Sequence, residues 1–177
     1  MKKMLRMAVI AAAALCALCS CHWDDNYTKV KAFADDAIMY CGETVNPEGL
    51  CKYTLELSGS FTDTAEQFVL SIVFYDFYAE AAGYPLVPSG YYYGSNSFGE
   101  GKMLYGSKAD NMGTFIGIRA RDAKDFEWYP VNSGSFEIEC EVGRDGTPAY
   151  EIEANVYVAD YKYHIDYIGP LRLDLLY

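Results

Sequence analysis

From about residue 50 onward, apolar side chains recur at every second position. Across residues 51–57 the odd positions (Cys51, Tyr53, Leu55, Leu57) are apolar and the even ones (Lys52, Thr54, Glu56) polar. A period of two is that of a half-buried β-strand. Residues 67–78 form an almost unbroken run rich in Val, Ile, Phe and Tyr, which predicts a central strand covered on both faces. Pro85 and Pro88-Ser89-Gly90 punctuate the chain, and Tyr91-Tyr92-Tyr93 opens a further strand. Shorter strands are predicted over residues 102–106 and 113–119. Helical periodicity is confined to one short stretch, residues 29–37.

The C-terminal third carries the clearest alternation. Phe136, Ile138, Cys140 and Val142 alternate with Glu137, Glu139 and Glu141, and Asp145-Gly146 then signals a reversal. Tyr150, Ile152, Ala154, Val156 and Val158 form the partner. A second reversal near Asp160-Tyr161 leads to Tyr163, Ile165 and Tyr167, and Gly169-Pro170 breaks the run before Leu171, Leu173 and Leu175. The pattern predicts a four-strand meander. The whole chain reads as all-β, with nine or ten strands. An antiparallel β-sandwich is the favoured architecture and a closed antiparallel, lipocalin-like barrel the alternative, since periodicity does not choose between them.

Pairing Val142 with Tyr150 sets Glu141 opposite Glu151 and Glu139 opposite Glu153 on the outer face. Like charges so placed are destabilising. Lys162, His164 and Arg172 have the parity to offset them; a bound Ca²⁺ is the other counter-ion considered. No loop of the EF-hand type supports calcium, and no His or Cys spacing suits a metal site.

The N-terminal segment has a different character. Lys2, Lys3 and Arg6 precede an apolar run over residues 7–18, too short to span a bilayer, which takes about 20 residues. Leu18-Cys19-Ser20-Cys21 resembles the lipobox of bacterial lipoproteins. That resemblance implies cleavage after Ser20 and acylation of Cys21, since Cys16 and Cys19 each follow a bulky Leu. Two or three acyl chains anchor a protein where one holds it only marginally. Asp24-Asp25 just beyond is similar to the surface-export signal of lipoproteins from Bacteroides-type bacteria. The implied organisation is a signal peptide (1–20), a lipidated N-terminus and linker (21–35) and one all-β domain (36–177).

Composition narrows the function classes. The full chain carries a net charge of −11, and loss of Lys2, Lys3 and Arg6 takes it to −14. Such a surface repels phosphates, which disfavours nucleic acid as a partner. Of the mature cysteines, Cys41 and Cys51 lie at the end of one strand and the start of the next, a candidate disulfide; Cys140 is left over.

A broader resemblance rests on Gly134-Ser135-Phe136 to Val142, Gly146 to Asn155, and Tyr163-His164-Ile165-Asp166-Tyr167-Ile168-Gly169-Pro170-Leu171. Leu86-Val87-Pro88-Ser89-Gly90-Tyr91-Tyr92 belongs to the same pattern. Together they resemble small surface lipoproteins of Bacteroides-type bacteria, which implies an outer-membrane, outward-facing address; the motifs carry fold and address and no known active site.

Catalytic candidates are few. There are two histidines, and His164 shares a strand face with Asp166 but no nucleophile is marked out. No phosphate loop occurs, and no cofactor is expected. The aromatic content, 16% with 17 tyrosines, bears most on ligands. Tyr91, Tyr92, Tyr93, Trp128 and Tyr129 are the candidate ligand-binding residues, because flat aromatic faces stack on sugar rings and are enriched at protein interfaces. The expected function is that of a non-catalytic, lipid-anchored binding module, with a glycan as the first candidate ligand. The alternative is a structural or adhesive subunit that docks onto another outer-membrane protein. A barrel enclosing a small apolar ligand is a third reading, which requires a hollow core.

Overall fold

The computed structural model describes residues 27–175, apart from 65, 82, 83, 86 and 143–147. The lipobox with Cys21, Leu86 of the mid-domain motif and the Asp145-Gly146 reversal lie outside the described residues. Every regular element is a strand: β1 (Thr28–Thr44), β2 (Leu50–Phe61), β3 (Gln67–Phe77), β4 (Glu80–Ala81), β5 (Tyr84–Pro85), β6 (Gly90–Ser95), β7 (Lys102–Leu104), β8 (Phe115–Arg119), β9 (Glu127–Pro130), β10 (Ser133–Val142), β11 (Pro148–Val158), β12 (Tyr161–Gly169) and β13 (Arg172–Leu175). The short β4–β5 pair stands apart, and the other eleven form one sheet.

That sheet closes on itself. Hydrogen bonding runs β1–β2–β3–β7–β6–β10–β11–β12 and returns to β1, an eight-stranded barrel. The all-β class is as expected, but the favoured sandwich is replaced by its alternative, the closed barrel. A sandwich needs free sheet edges. Here β1 bonds β2 along one side and both β12 and β13 along the other, so the ring leaves none in β1. The barrel is not wholly antiparallel, because β1–β12 and β6–β7 are parallel.

Three local expectations are corrected. Residues 29–37, the helical stretch, belong to β1, which also places the domain's start at Thr28 inside the expected linker. A register shift between Ala34 and Asp36 moves the inward set from Ala32 and Ala34 to Ala37, Met39 and Cys41, so one bulge breaks the period of two. Gly169-Pro170 interrupts the chain without reversing it: β12 and β13 both run parallel to β1, one broken strand in place of the last meander hairpin. The β10–β11 pairing sets Val142 opposite Pro148, two residues from the expected register. A shift of two preserves parity, so glutamates still face each other, as Glu139–Glu151 and Glu137–Glu153.

The barrel interior is filled. Tyr53, Phe68, Phe74, Tyr92, Phe136 and Met103 are its largest fully buried side chains. Tyr53 pairs with Phe74 across β2–β3, and Tyr92 with Phe136 across β6–β10. Phe74 meets Tyr92 and Phe136 at 4.7 and 5.1 Å between centroids, so the two walls lock through four rings. These rings fill the middle of the barrel, which weighs against a small apolar ligand enclosed there. β3 is covered on both faces, as its sequence predicts: Val73 and Tyr75 pack outside with Leu50 and Leu104. An apolar interior with acids and lysines outside is the inverse of a water-filled membrane-spanning barrel.

Among the described residues, the Tyr53 hydroxyl is the buried side-chain polar atom without a nitrogen or oxygen partner; the Cys41 thiol lies beside it. Burial and the neighbouring Cys41 thiol push its ionisation above the ordinary tyrosine range. Tyr53→Phe removes the unpaired hydroxyl at nearly constant shape. It is expected to stabilise the fold by about 1 kcal/mol in urea denaturation, the low end of the penalty for an unsatisfied buried polar group.

Candidate functional site

One end of the barrel stays open. There β1 begins, the β2–β3 hairpin turns, and the β11–β12 hairpin reverses at residues 159–160. On the remaining side β8 bonds β3, and β9 bonds β8. β9 runs on into β10, which joins β11 only from Ser133. The stretch of β9 before that junction therefore borders a gap in the wall. Beneath the gap is a cleft of about 520 Å³, a size that suits small ligands.

The cleft is aromatic below and polar at its rim. Phe61, Val158 and Tyr163 are buried at its floor, and Ile118, Tyr129 and Tyr161 form the upper walls. Tyr161 and Tyr163 stack with centroids 6.1 Å apart, and Phe61 lies 5.9 Å from Tyr163. Tyr161 is 45% exposed and presents ring surface at the mouth. Lys29, Lys31, Asp63, Thr64 and Glu66 complete the rim, where Thr64 donates to Glu66 at 3.0 Å. Burial, with Tyr161, Tyr129 and Glu66 nearby, pushes the Tyr163 hydroxyl above the ordinary tyrosine range. The Tyr129 hydroxyl donates to Glu127 at 2.6 Å, and that bond raises its ionisation as well. Both phenols are therefore protonated at neutral pH, and the cleft offers hydroxyls and carboxylates around flat apolar faces.

The five residues singled out from the sequence do not converge. Tyr129 lines the cleft. Its neighbour Trp128 points to the other side of β9 and lies flat on Gly117, where an added Cβ would sit 3.1 Å from the indole. This is an aromatic side chain covering a glycine across a strand pair. Trp128 is 45% exposed and borders a separate hollow of about 370 Å³ with Ser71, Asn111 and Phe115. Tyr92 is core, whereas Tyr91 and Tyr93 point outward from β6, Tyr91 donating to Ser135 at 2.6 Å and Tyr93 lying under the Lys102 ammonium at 4.0 Å. Phe61, Tyr161 and Tyr163 were not among the expected site residues. The alternation marks Tyr163 as a strand position and Tyr161 as part of a reversal, and only ring closure brings them and Phe61 to Tyr129.

The remaining candidates are structural in their surroundings. His164 is on the outer sheet face, with Nε2 3.2 Å from Asp166 and Nδ1 3.0 Å from Asn155. The glutamate ladder of β10 and β11 lies on that face too, and no group among the described residues has the geometry to hold a metal ion. Cys41 and Cys51 are buried as free thiols in this structure. In the register Cys41 faces Tyr53 and Cys51 faces Thr44; the two cysteines are diagonal neighbours. Diagonal Cα atoms stand about 7–8 Å apart, beyond the usual span of a disulfide. Burial raises the Cys41 thiol above its ordinary value, which suppresses its thiolate. Cys140 keeps the inward parity of Ile138 but is exposed, because β6 accompanies β10 only as far as Ile138. Iodoacetamide is expected to label Cys140 in the native chain, and Cys41 and Cys51 only after unreduced unfolding. Protection of the pair in unfolded, unreduced protein would establish a bridge.

Fold and site together define a closed, solid β-barrel with an aromatic cleft at one end. No protein-family model, curated protein or solved structure matches the chain.

Proposed function

We propose that the chain is a non-catalytic lipoprotein, anchored through Cys21 in the outer membrane, that binds a glycan in the end cleft. The observation that carries this reading is the cleft itself, a ligand-sized space on a barrel whose interior is otherwise packed. Its lining suits sugars: Tyr161, Tyr163 and Phe61 offer faces to pyranose C–H groups, while Asp63, Thr64 and Glu66 offer bonds to hydroxyls. The strong negative charge of the mature chain accords with an uncharged ligand and disfavours nucleic acid.

The test is calorimetric titration of the mature chain carrying Cys21→Ser with a panel of oligosaccharides. Saturable binding is expected for at least one. Tyr161→Ala is expected to weaken it at least tenfold, about 1.4 kcal/mol, and Tyr91→Ala to leave it unchanged. Tyr161 is half exposed, so its loss spares the core. Binding that survives Tyr161→Ala and fails in Tyr91→Ala would move the site to β6. The absence of any glycan binding, with a protein co-purifying from membranes, would favour the alternative of a docking subunit.

A further inference from the structure

The tether and the cleft share one end of the barrel. Thr28, the first residue of β1, pairs with Tyr161 of the cleft wall, and its amide donates to the Asp160 carbonyl at 2.8 Å. Tyr27 packs edge-on against Tyr157, with 5.0 Å between centroids. The chain thus enters the fold at the cleft rim. From Cys21 to Thr28 a fully extended chain reaches at most ~25 Å. β1 runs 17 residues from this end to the opposite turn. That is ~50 Å of strand, or ~40 Å of height at the usual barrel tilt.

Charge accords with the same posture. The rim balances Lys29 and Lys31 against Asp63 and Glu66, whereas the outer face of β10–β12 carries Glu137, Glu139, Glu151, Glu153 and Asp166. Bilayer phosphates repel the acidic face more than the balanced rim.

We propose that the cleft opens toward the membrane that anchors the chain, and that its ligand is the saccharide headgroup of a glycolipid in that leaflet. This rests on the glycan reading and on acylation of Cys21. A sugar carried on lipid arrives at the height of the mouth. A soluble polysaccharide would have to enter between barrel and bilayer.

The test uses the lipidated protein in phosphatidylethanolamine–phosphatidylglycerol vesicles. Cys140→Ser removes the exposed thiol, and a dye is placed at Thr62→Cys, beside the cleft, or at Glu48→Cys, on the opposite turn. Lipids bearing a headgroup nitroxide are expected to quench the Thr62→Cys dye at least threefold more than the Glu48→Cys dye. Equal quenching, or stronger quenching at Glu48→Cys, overturns the orientation.

A neutral oligoglycosyl diacylglycerol in the same vesicles is then compared with its soluble headgroup oligosaccharide added outside. The Thr62→Cys dye is expected to respond to the lipid-borne sugar, and Tyr161→Ala to abolish the response. An equal response to the soluble oligosaccharide at matched bulk concentration overturns the membrane-borne source but leaves the glycan reading standing. Silence toward both overturns both.

Discussion

Phe74→Ala is expected to destabilise the barrel by about 3–5 kcal/mol, the range for deleting a buried aromatic ring. Phe74 is fully buried and touches Tyr53 on its own wall and Tyr92 and Phe136 on the facing one. The facing rings are fixed on separate strands and do not collapse easily into the space left, so a cavity penalty adds to the lost transfer free energy. Domains of this size are stable by about 5–15 kcal/mol, and the variant is expected to be marginal. Urea denaturation monitored by tyrosine and tryptophan emission measures the change. A loss below about 1 kcal/mol would mean that the two walls do not depend on this contact, contrary to a solid interior.

Gly134→Ala has the second-largest expected effect, about 3 kcal/mol or more, from backbone strain plus overpacking. Gly134 sits where β10 first meets β11, at a φ of 134°, a region that L side chains rarely adopt. An added Cβ would lie 2.2 Å from the Asn155 carbonyl oxygen and 2.8 Å from the Val156 Cα, both backbone atoms that cannot yield without opening the ladder. Gly90 is the control, since its φ of 149° is similarly special but an added Cβ meets nothing within 4 Å. Gly90→Ala is expected to cost only the strain, about 1–2 kcal/mol. Equal losses in the two variants would show that the close approach at Gly134 is not a constraint.

The sequence made most strands legible, because an inward side chain at every second position is a local property. Residues 51–57, 67–77, 136–142 and 148–158 lie in strands, and Tyr53, Leu55, Leu57, Phe136, Ile138, Ile152, Ala154, Val156 and Val158 are buried as their alternation predicts. β1 was obscured by its own bulge and by alanines, whose small side chains carry little pattern and favour helix. Ring closure was not legible at all. It depends on β1 accepting β12 as a parallel neighbour some 130 residues away, and alternation records which face is buried but not which strand lies alongside.

The candidate site follows the same division. Tyr129 could be suspected from aromatic clustering, but Trp128 beside it points away, since neighbours on a strand face opposite sides. Tyr161 reads as part of a reversal and Tyr163 as an ordinary strand position. Their place in a cleft comes from the end of the barrel at which they lie, a fact of topology.

The measurement that tests the account most directly is amide NMR mapping of the lipid-free mature chain during titration with an oligosaccharide that it binds. The account predicts shift changes at Val30, Thr64, Ile118, Tyr129, Ala159 and Tyr161, with β6 and the Trp128 hollow undisturbed. Changes centred on Tyr91 and Tyr93, or on Asn111 and Phe115 beside Trp128, would contradict the assignment of the end cleft as the ligand site.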